Sequence, residues 1–217
     1  MPPGWAGGMM QRAGQGLSWR PGPGNEKERR EQIVMFTDIR SKKVLFVCHC
    51  MLNQNAISDG TAVFPAAFKE LMDWAYEREI GIVQMPCPEL HCLGLDRGDP
   101  AGADRPVTVE NTRIRRAMEK GEPNAKLQLL ISLVLEQIEE YEKHGFEIVG
   151  IVGANRSPNC GVETTSEDDV ETEGMGLFMS GIRDELKRRG YGIPMTGLKS
   201  SDNIREKLEE RLLKKCL

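Results

Sequence analysis

Short apolar runs along the chain predict the strands of a sheet. They occupy residues 44–47, 80–83 and 146–152, with a shorter run at 193–195. The runs are rich in β-branched residues and lack polar alternation, as is typical of parallel strands buried on both faces. We therefore expect four strands, well separated along the chain.

The segments between these runs carry apolar residues at helical spacing, which predicts helices over residues 61–78, 111–120, 124–144, 174–189 and 201–216. The helix over 124–144 is the clearest, because seven apolar residues fall on one stripe and Gly145 follows as a stop. Ser201 or Asp202 can cap the last helix. Strands alternating with helices predict an α/β fold of three layers: a mostly parallel, flavodoxin- or Rossmann-like sheet with helices on both faces.

The remaining segments have the composition of loops. Residues 86–106 are interrupted by Gly and Pro, which predicts a long irregular loop. Residues 161–174 contain six acids and no Lys or Arg, which favours a solvated, mobile loop. Eleven of the first 24 residues are Gly or Pro. We expect residues 1–40 to be a disordered, partly charged extension and residues 41–217 to be a single α/β domain.

Composition narrows the class of protein. The chain has 217 residues, of which 39% are hydrophobic and 29% charged, enough to build a packed core. The net charge of -4 offers no basic field, so direct nucleic-acid binding is not expected. No apolar run is long enough to cross a membrane and the start does not resemble a secretory signal, which favours a cytoplasmic protein. There the six cysteines serve as buried apolar residues, metal ligands or redox thiols.

Three cysteine-bearing loops follow three successive predicted strands. Cys50 follows the first strand, Cys87 the second and Cys160 the third. Because the carboxyl ends of parallel strands lie at one edge of the sheet, these loops are expected to converge there. Glu89 is a candidate general base beside Cys87, and Ser157 a candidate hydrogen-bond donor to a substrate.

The residue types leave the chemistry of this edge open. Three thiolates can hold a zinc ion with a vacant position, or a 4Fe–4S cluster in which the fourth iron has no Cys. The alternatives are that the cysteines are packing residues, Glu89 is a surface carboxylate or helix cap, and Ser157 is a turn residue. The sequence also leaves open whether Cys48 or Cys92 replaces a ligand. It contains no dinucleotide, phosphate-loop or serine-hydrolase motif.

At these loops the sequence resembles the thiouracil desulfidase family. The matching elements are Cys50-Met51-Leu52-Asn53, Cys87-Pro88-Glu89, Arg156-Ser157-Pro158-Asn159-Cys160-Gly161 and the later Gly174-Met175-Gly176-Leu177-Phe178. The resemblance covers roughly residues 43–197. It departs from the family pattern at Cys48, where the family has a small residue, and in the loop after Glu89, which reads Leu93-Gly94-Leu95-Asp96-Arg97-Gly98.

The resemblance implies a 4Fe–4S cluster held by Cys50, Cys87 and Cys160, with Glu89 and Ser157 at catalytic positions. The implied enzyme is a cytoplasmic desulfidase that removes sulfur from the thiocarbonyl of a small heterocycle, such as a thio-nucleobase, and yields a carbonyl product and hydrosulfide. The alternatives are a sulfurtransferase or sulfur-trafficking protein, and a non-enzymatic iron–sulfur or zinc-binding sensor. The expected partner is the thiolated small molecule, and a homodimer is left open.

Overall fold

A computed structural model describes residues 36–213. Most of the predicted extension over residues 1–40 therefore lies outside the described residues, as does Cys216 at the end of the last predicted helix. Among the helices formed by residues 36–213, none combines the length and the apolar character that crossing a membrane would require.

A four-stranded parallel sheet forms the centre of the domain, which confirms the predicted α/β class. Its strands are β1 (Lys43–Val47), β2 (Gly81–Gln84), β3 (Glu147–Ala154) and β6 (Met195–Leu198), in the order β2-β1-β3-β6. The two central strands, β1 and β3, are buried along nearly their whole length, as their continuous apolar runs require.

The helices cover both faces of the sheet. They are α1 (His49–Leu52), α2 (Lys69–Glu77), α3 (Pro88–Leu93), α4 (Val107–Met118), α5 (Gly121–Lys143), α6 (Leu177–Arg188) and α7 (Ile204–Leu208). Helix α2 contacts α7, while α5 contacts α6, and right-handed crossovers place these pairs on opposite faces. The predicted stripe of α5 is buried at Leu127, Leu130, Ile131, Val134, Leu135 and Ile138.

The helix predicted over residues 61–78 begins only at Lys69. The preceding segment contains Pro65, and its backbone is bound to Gln54 instead. The amide of Gln54 donates to the carbonyl of Ala66 at 2.6 Å, and the amide of Val63 donates to Gln54 Oε1 at 3.0 Å. Residues 61–68 therefore form an irregular segment, and the predicted helix is too long at its start.

Two predicted loops contain regular structure. The segment 86–106 contains α3 and a 3₁₀ turn at Gly102–Asp104. Helix α3 can begin at Pro88 because the first helical position does not need a backbone amide donor. The acidic segment 161–174 is an antiparallel hairpin of β4 (Thr164–Glu167) and β5 (Val170–Glu173), packed against α4. Its acidic side chains are largely exposed, while Thr165 and Ser166 are buried. The loop was predicted from the number of acidic residues, and that number does not distinguish a loop from a hairpin with one exposed face.

The end of the described chain also differs from the prediction. Helix α7 is five residues long and continues as a π turn over Glu209–Leu213. Its cap is Asn203, whose side chain accepts a hydrogen bond from the amide of Glu206. Asp202 instead accepts from the amide of Lys199 at 2.9 Å. The capping predicted for Ser201 or Asp202 is therefore wrong by one or two residues.

Candidate functional site

The strand order creates a crevice between β1 and β3. From β1 the chain passes to β2 on one side, whereas β3 lies on the other side and continues to β6. The connections thus leave β1 and β3 in opposite directions at their carboxyl ends. This reversal is the point at which open α/β sheets bind ligands. The first and third cysteine loops begin there.

The first loop turns from β1 directly into the short helix α1. The amide of Cys48 donates to the carbonyl of Val152 at 2.9 Å, which ties the start of the loop to β3. Cys48 is buried in the core, whereas Cys50 is half-buried and lines the pocket described below. Their Sγ atoms are 3.9 Å apart.

The second loop places Cys87 immediately before α3. Cys87 has extended backbone angles, and its Sγ accepts a hydrogen bond from the amide of Leu90 at 3.5 Å. The thiol therefore acts as the cap of α3, and Pro88 is the first residue of that helix. Glu89 follows in the first turn and is buried.

The third loop is anchored to the start of α6. The carbonyl of Pro158 accepts from the amide of Leu177 at 2.9 Å, and the carbonyl of Asn159 accepts from the amides of Phe178 and Met179 at 3.0 and 3.1 Å. These bonds satisfy helix amides that have no partner within the helix. They fix the backbone on which Cys160 stands.

Ser157 organises the turn before Cys160. Its Oγ accepts hydrogen bonds from the amides of Cys160 at 2.9 Å and Asn159 at 3.3 Å. Ser157 is therefore a turn residue, as the alternative prediction had it. Because the oxygen accepts both bonds, the hydroxyl hydrogen is left to donate, and the sulfur of Cys160 is one acceptor within its reach. Arg156, the preceding residue, has a positive φ of 71°, a conformation uncommon outside glycine.

One pocket with a volume of about 100 Å³ brings the five predicted site residues together. Cys50, Cys87, Cys160, Glu89 and Ser157 all line it. Their convergence agrees with the expected meeting of the three loops, while the roles assigned to them stay predictions. Neither Cys48 nor Cys92 is among the residues lining this pocket.

Glu89 is held by three side chains. Its Oε2 lies 3.0 Å from Arg97 Nε and accepts from Ser58 Oγ at 3.3 Å, while Oε1 accepts from Asn159 Nδ2 at 3.0 Å. A carboxylate offers about four acceptor positions, so roughly one is left for a water or a substrate. Glu89 is therefore a fixed acceptor inside the pocket rather than a surface carboxylate.

Burial raises the pKa of the Cys87 thiol, and the negative charge of Glu89 raises it further. A hydrogen bond from Cys48 lowers the pKa of Cys160, but burial and the neighbouring Cys50 and Glu89 outweigh it, so the net direction is upward. Hydrogen bonds with Cys160 and Cys50, together with burial, raise the pKa of Cys48 well above its usual value. Any metal that binds these thiols as thiolates must displace their protons.

The donor set suits a thiophilic metal group. Three sulfur atoms line one pocket, and thiolates are the usual ligands of zinc and of iron–sulfur clusters. Within residues 36–213, no set of three or more His, Cys, Asp or Glu side chains is drawn close enough together to hold a metal ion. The thiols thus surround the pocket rather than a common point.

Sequence reasoning missed the residues that hold Glu89. Arg97 lies in the loop where the sequence departs from the desulfidase pattern, and Ser58 and Asn159 stand in turn-rich segments. Each belongs to a polar residue type that is common on protein surfaces. Their burial depends on tertiary packing, and no local spacing indicates it. The adjacency of Asn159 to Cys160 was the one available signal.

Comparisons with known proteins give distant similarities. No family model matches the chain. An uncharacterized protein of Methanocaldococcus jannaschii is 25% identical over 124 residues, which are 57% of this chain and 70% of that protein. Among solved structures, the 4Fe-4S-dependent thiouracil desulfidase TudS aligns with a TM-score of 0.41 and 19% identity, covering 79% of this chain and 96% of that one.

Proposed function

We propose that this protein is a desulfidase that uses a 4Fe–4S cluster to remove sulfur from a thiocarbonyl on a small heterocycle. The observation that carries the proposal is the convergence of Cys50, Cys87 and Cys160 on one pocket with Glu89 and Ser157. The resemblance of these loop motifs to the thiouracil desulfidase family supports the same reading. A thio-nucleobase is the substrate class that this resemblance implies.

Cys50, Cys87 and Cys160 are the residues proposed to hold the cluster. A cluster with three thiolate ligands supplies one iron that can act as a Lewis acid toward a soft thiocarbonyl sulfur. The protein encloses this chemistry at the carboxyl edge of the sheet, where Cys87 and Cys160 are buried and Cys50 is half-buried.

Glu89 and Ser157 are proposed to handle the protons. The free acceptor position of Glu89 can take a proton from a water that attacks the thiocarbonyl carbon. Ser157 can donate its hydroxyl hydrogen to a ring nitrogen or to the exocyclic atom of the heterocycle. In the net reaction a carbon–oxygen bond replaces the carbon–sulfur bond, and sulfur leaves as hydrosulfide. No electrons are transferred overall.

Iron binding provides the first test. Protein purified without oxygen is expected to be brown and to contain about four iron atoms per chain. Cys50→Ala, Cys87→Ala and Cys160→Ala should each lose most of this iron, because each removes one proposed ligand. Cys92→Ala is the matched control and should retain it, since Cys92 does not line the pocket. A colourless preparation containing zinc would contradict the cluster.

Sulfide release from 2-thiouracil and 4-thiouracil tests the reaction. Glu89→Gln should keep its iron and lose at least roughly 100-fold in kcat, the usual contribution of a general base. Incorporation of the sulfur into an acceptor without free sulfide would indicate a sulfurtransferase. Iron binding without turnover of either kind would favour a sensor.

A further inference from the structure

We infer that Arg97 is a positioning residue for Glu89, and that the loop carrying it exists to hold that carboxylate in the pocket. This inference rests on the proposed function, in which Glu89 receives a proton from water. It is carried by a buried ion pair that the sequence motifs do not contain. Arg97 Nε lies 3.0 Å from Glu89 Oε2, with the two side chains 3% and 10% exposed.

The Arg97 guanidinium has little capacity left to bind a substrate. Besides the Glu89 contact, its Nη1 donates to the carbonyls of Gly94 at 2.9 Å and Leu95 at 3.1 Å, and its Nη2 donates to Ala56 at 2.6 Å. Four of the five guanidinium N–H groups therefore have protein partners. This arrangement assigns Arg97 to holding Glu89 rather than to contacting the reacting atoms.

Arg97 is itself held by the next helix. Its carbonyl accepts a hydrogen bond from Arg113 Nη2 at 2.9 Å, and Arg113 is paired with Glu110 at 2.6 Å. Arg97 has a positive φ of 54°. A non-glycine residue adopts this conformation at a cost that the surrounding contacts must offset. The positive φ of Arg97 and the hydrogen bond from Arg113 of α4 together direct the Arg97 guanidinium into the pocket.

The other contacts of Glu89 explain why a charged contact from Arg97 is needed to hold its side chain. A glutamate side chain has three rotatable bonds, and Ser58 and Asn159 offer only neutral donors to it. Asn159 is fully buried, and its Oδ1 has no hydrogen-bond partner among residues 36–213. Its amide is thus oriented toward Glu89 with its oxygen unsatisfied. Arg97 supplies the charged contact that keeps the carboxylate in one orientation.

A double-mutant cycle on turnover tests the inference. In iron-loaded protein, Arg97→Gln should lower kcat on 4-thiouracil by roughly 10–100-fold, with KM changed less than about threefold, because a carboxylate displaced by about 1 Å loses most of its effect. In the Glu89→Gln background the same change should have no further effect on kcat. Arg97→Lys should recover part of the loss. Equal effects of Arg97→Gln in both backgrounds would overturn the inference.

Unfolding of the iron-free protein by urea supplies a readout that does not depend on the cluster. The Arg97 and Glu89 substitutions should be coupled. The unfolding equilibrium constant of the double variant should be at least roughly tenfold smaller than the value expected if the effects of the two single substitutions were additive. Arg189→Gln is the matched control. It breaks a partly buried pair between Arg189, directly after α6, and Glu139 of α5, and should show no coupling with Glu89.

The two proposals fail in different ways. If the wild-type protein releases no sulfide, the proposed function fails, and the urea cycle still decides whether Arg97 and Glu89 are coupled. If wild type is active but Arg97→Gln and Arg97→Lys turn over normally, the positioning role fails alone. If Arg97→Gln does not fold, Arg97→Met, which also removes the charge, replaces it in both cycles, and an unaltered kcat in that variant overturns the inference.

Discussion

Several glycines around the third cysteine loop occupy positions where a larger residue does not fit. A Cβ on Gly153 would overlap the carbonyl oxygen of Cys160 and lie 2.8 Å from Val162 Cγ2. A Cβ on Gly176 would meet the backbone of Asn159. The backbone of the third cysteine loop therefore packs directly against Gly153 and Gly176. A side chain at either position would push the loop away and move the Cys160 thiol.

Gly153→Ala should destabilise the protein by about 1–3 kcal/mol, the usual cost of overpacking a buried position. The added methyl group pushes on backbone, which cannot rotate away as a side chain can. Urea unfolding of the iron-free protein measures the change. Gly192→Ala is the control, since its Cβ would meet nothing within 4 Å. Equal stability of both variants would contradict the close packing of the loop on β3.

The segment between α3 and α4 shows how an irregular element is fixed by charge. Glu110 of α4 forms ion pairs with Arg113 of its own helix and with Arg105 of the segment before it. Arg113, opposed by burial and assisted by Arg105, holds the pKa of Glu110 below its usual value of 4.5. The ionised carboxylate therefore stabilises the folded state.

This pair predicts a dependence of stability on pH. A lowered carboxyl pKa contributes stability above the unfolded value of 4.5, and that contribution is lost as the pH falls through the lower folded value. Glu110→Gln should be less stable than wild type by about 1–3 kcal/mol at pH 7, and the difference should shrink below pH 4.5. Unfolding midpoints across this range measure it. Glu136→Gln, an exposed change on α5, should show no such convergence.

The elements differ in how far the sequence alone predicts them. The strands and α5 were predictable because burial on both faces or on one stripe leaves a periodic apolar pattern. Helix α3 was hidden because Pro86 and Pro88 flank Cys87 and suggested a loop. The hairpin was hidden because its acids face solvent. The convergence of the cysteine loops followed from strand topology.

The partners of Glu89 could not be predicted in this way. The pairing of Arg97 with Glu89 joins residues on a helix and an irregular loop, and Ser58 is 31 positions away from Glu89. Contacts of this kind depend on packing and leave no periodic signal. Candidate ligands and a base were thus accessible from the sequence, whereas the geometry that holds the base was not.

At the scale of the whole molecule, the pocket lies at the edge of the core, and the two meet at Cys160. The core lies between the sheet and its two helical layers and includes Leu45, Phe46, Trp74 and Phe178, all fully buried. The pocket lies beyond the carboxyl ends of the strands. Most of the apolar burial that stabilises the fold therefore does not depend on the three thiols lining the pocket.

The simultaneous change of Cys50, Cys87 and Cys160 to Ala should leave a folded protein. We expect one cooperative urea transition and unchanged helical circular dichroism, with a loss of about 1 kcal/mol per thiol for the buried atoms removed. A broad or absent transition would show that the thiols are needed for folding. The variant also serves as the control for iron binding, because it separates loss of ligands from loss of structure.

The strand order has a consequence for how the protein is made. Cys50 and Cys87 leave the ribosome before Cys160, which lies 73 positions after Cys87 (160 minus 87) in the loop that follows β3, the strand that inserts beside β1. At roughly 5–20 residues per second, this interval lasts about 4–15 s. During this interval of each synthesis, the Cys50 and Cys87 thiols are present in the nascent chain while Cys160 is not. Delivery of any metal group must therefore wait for β3 to take its place.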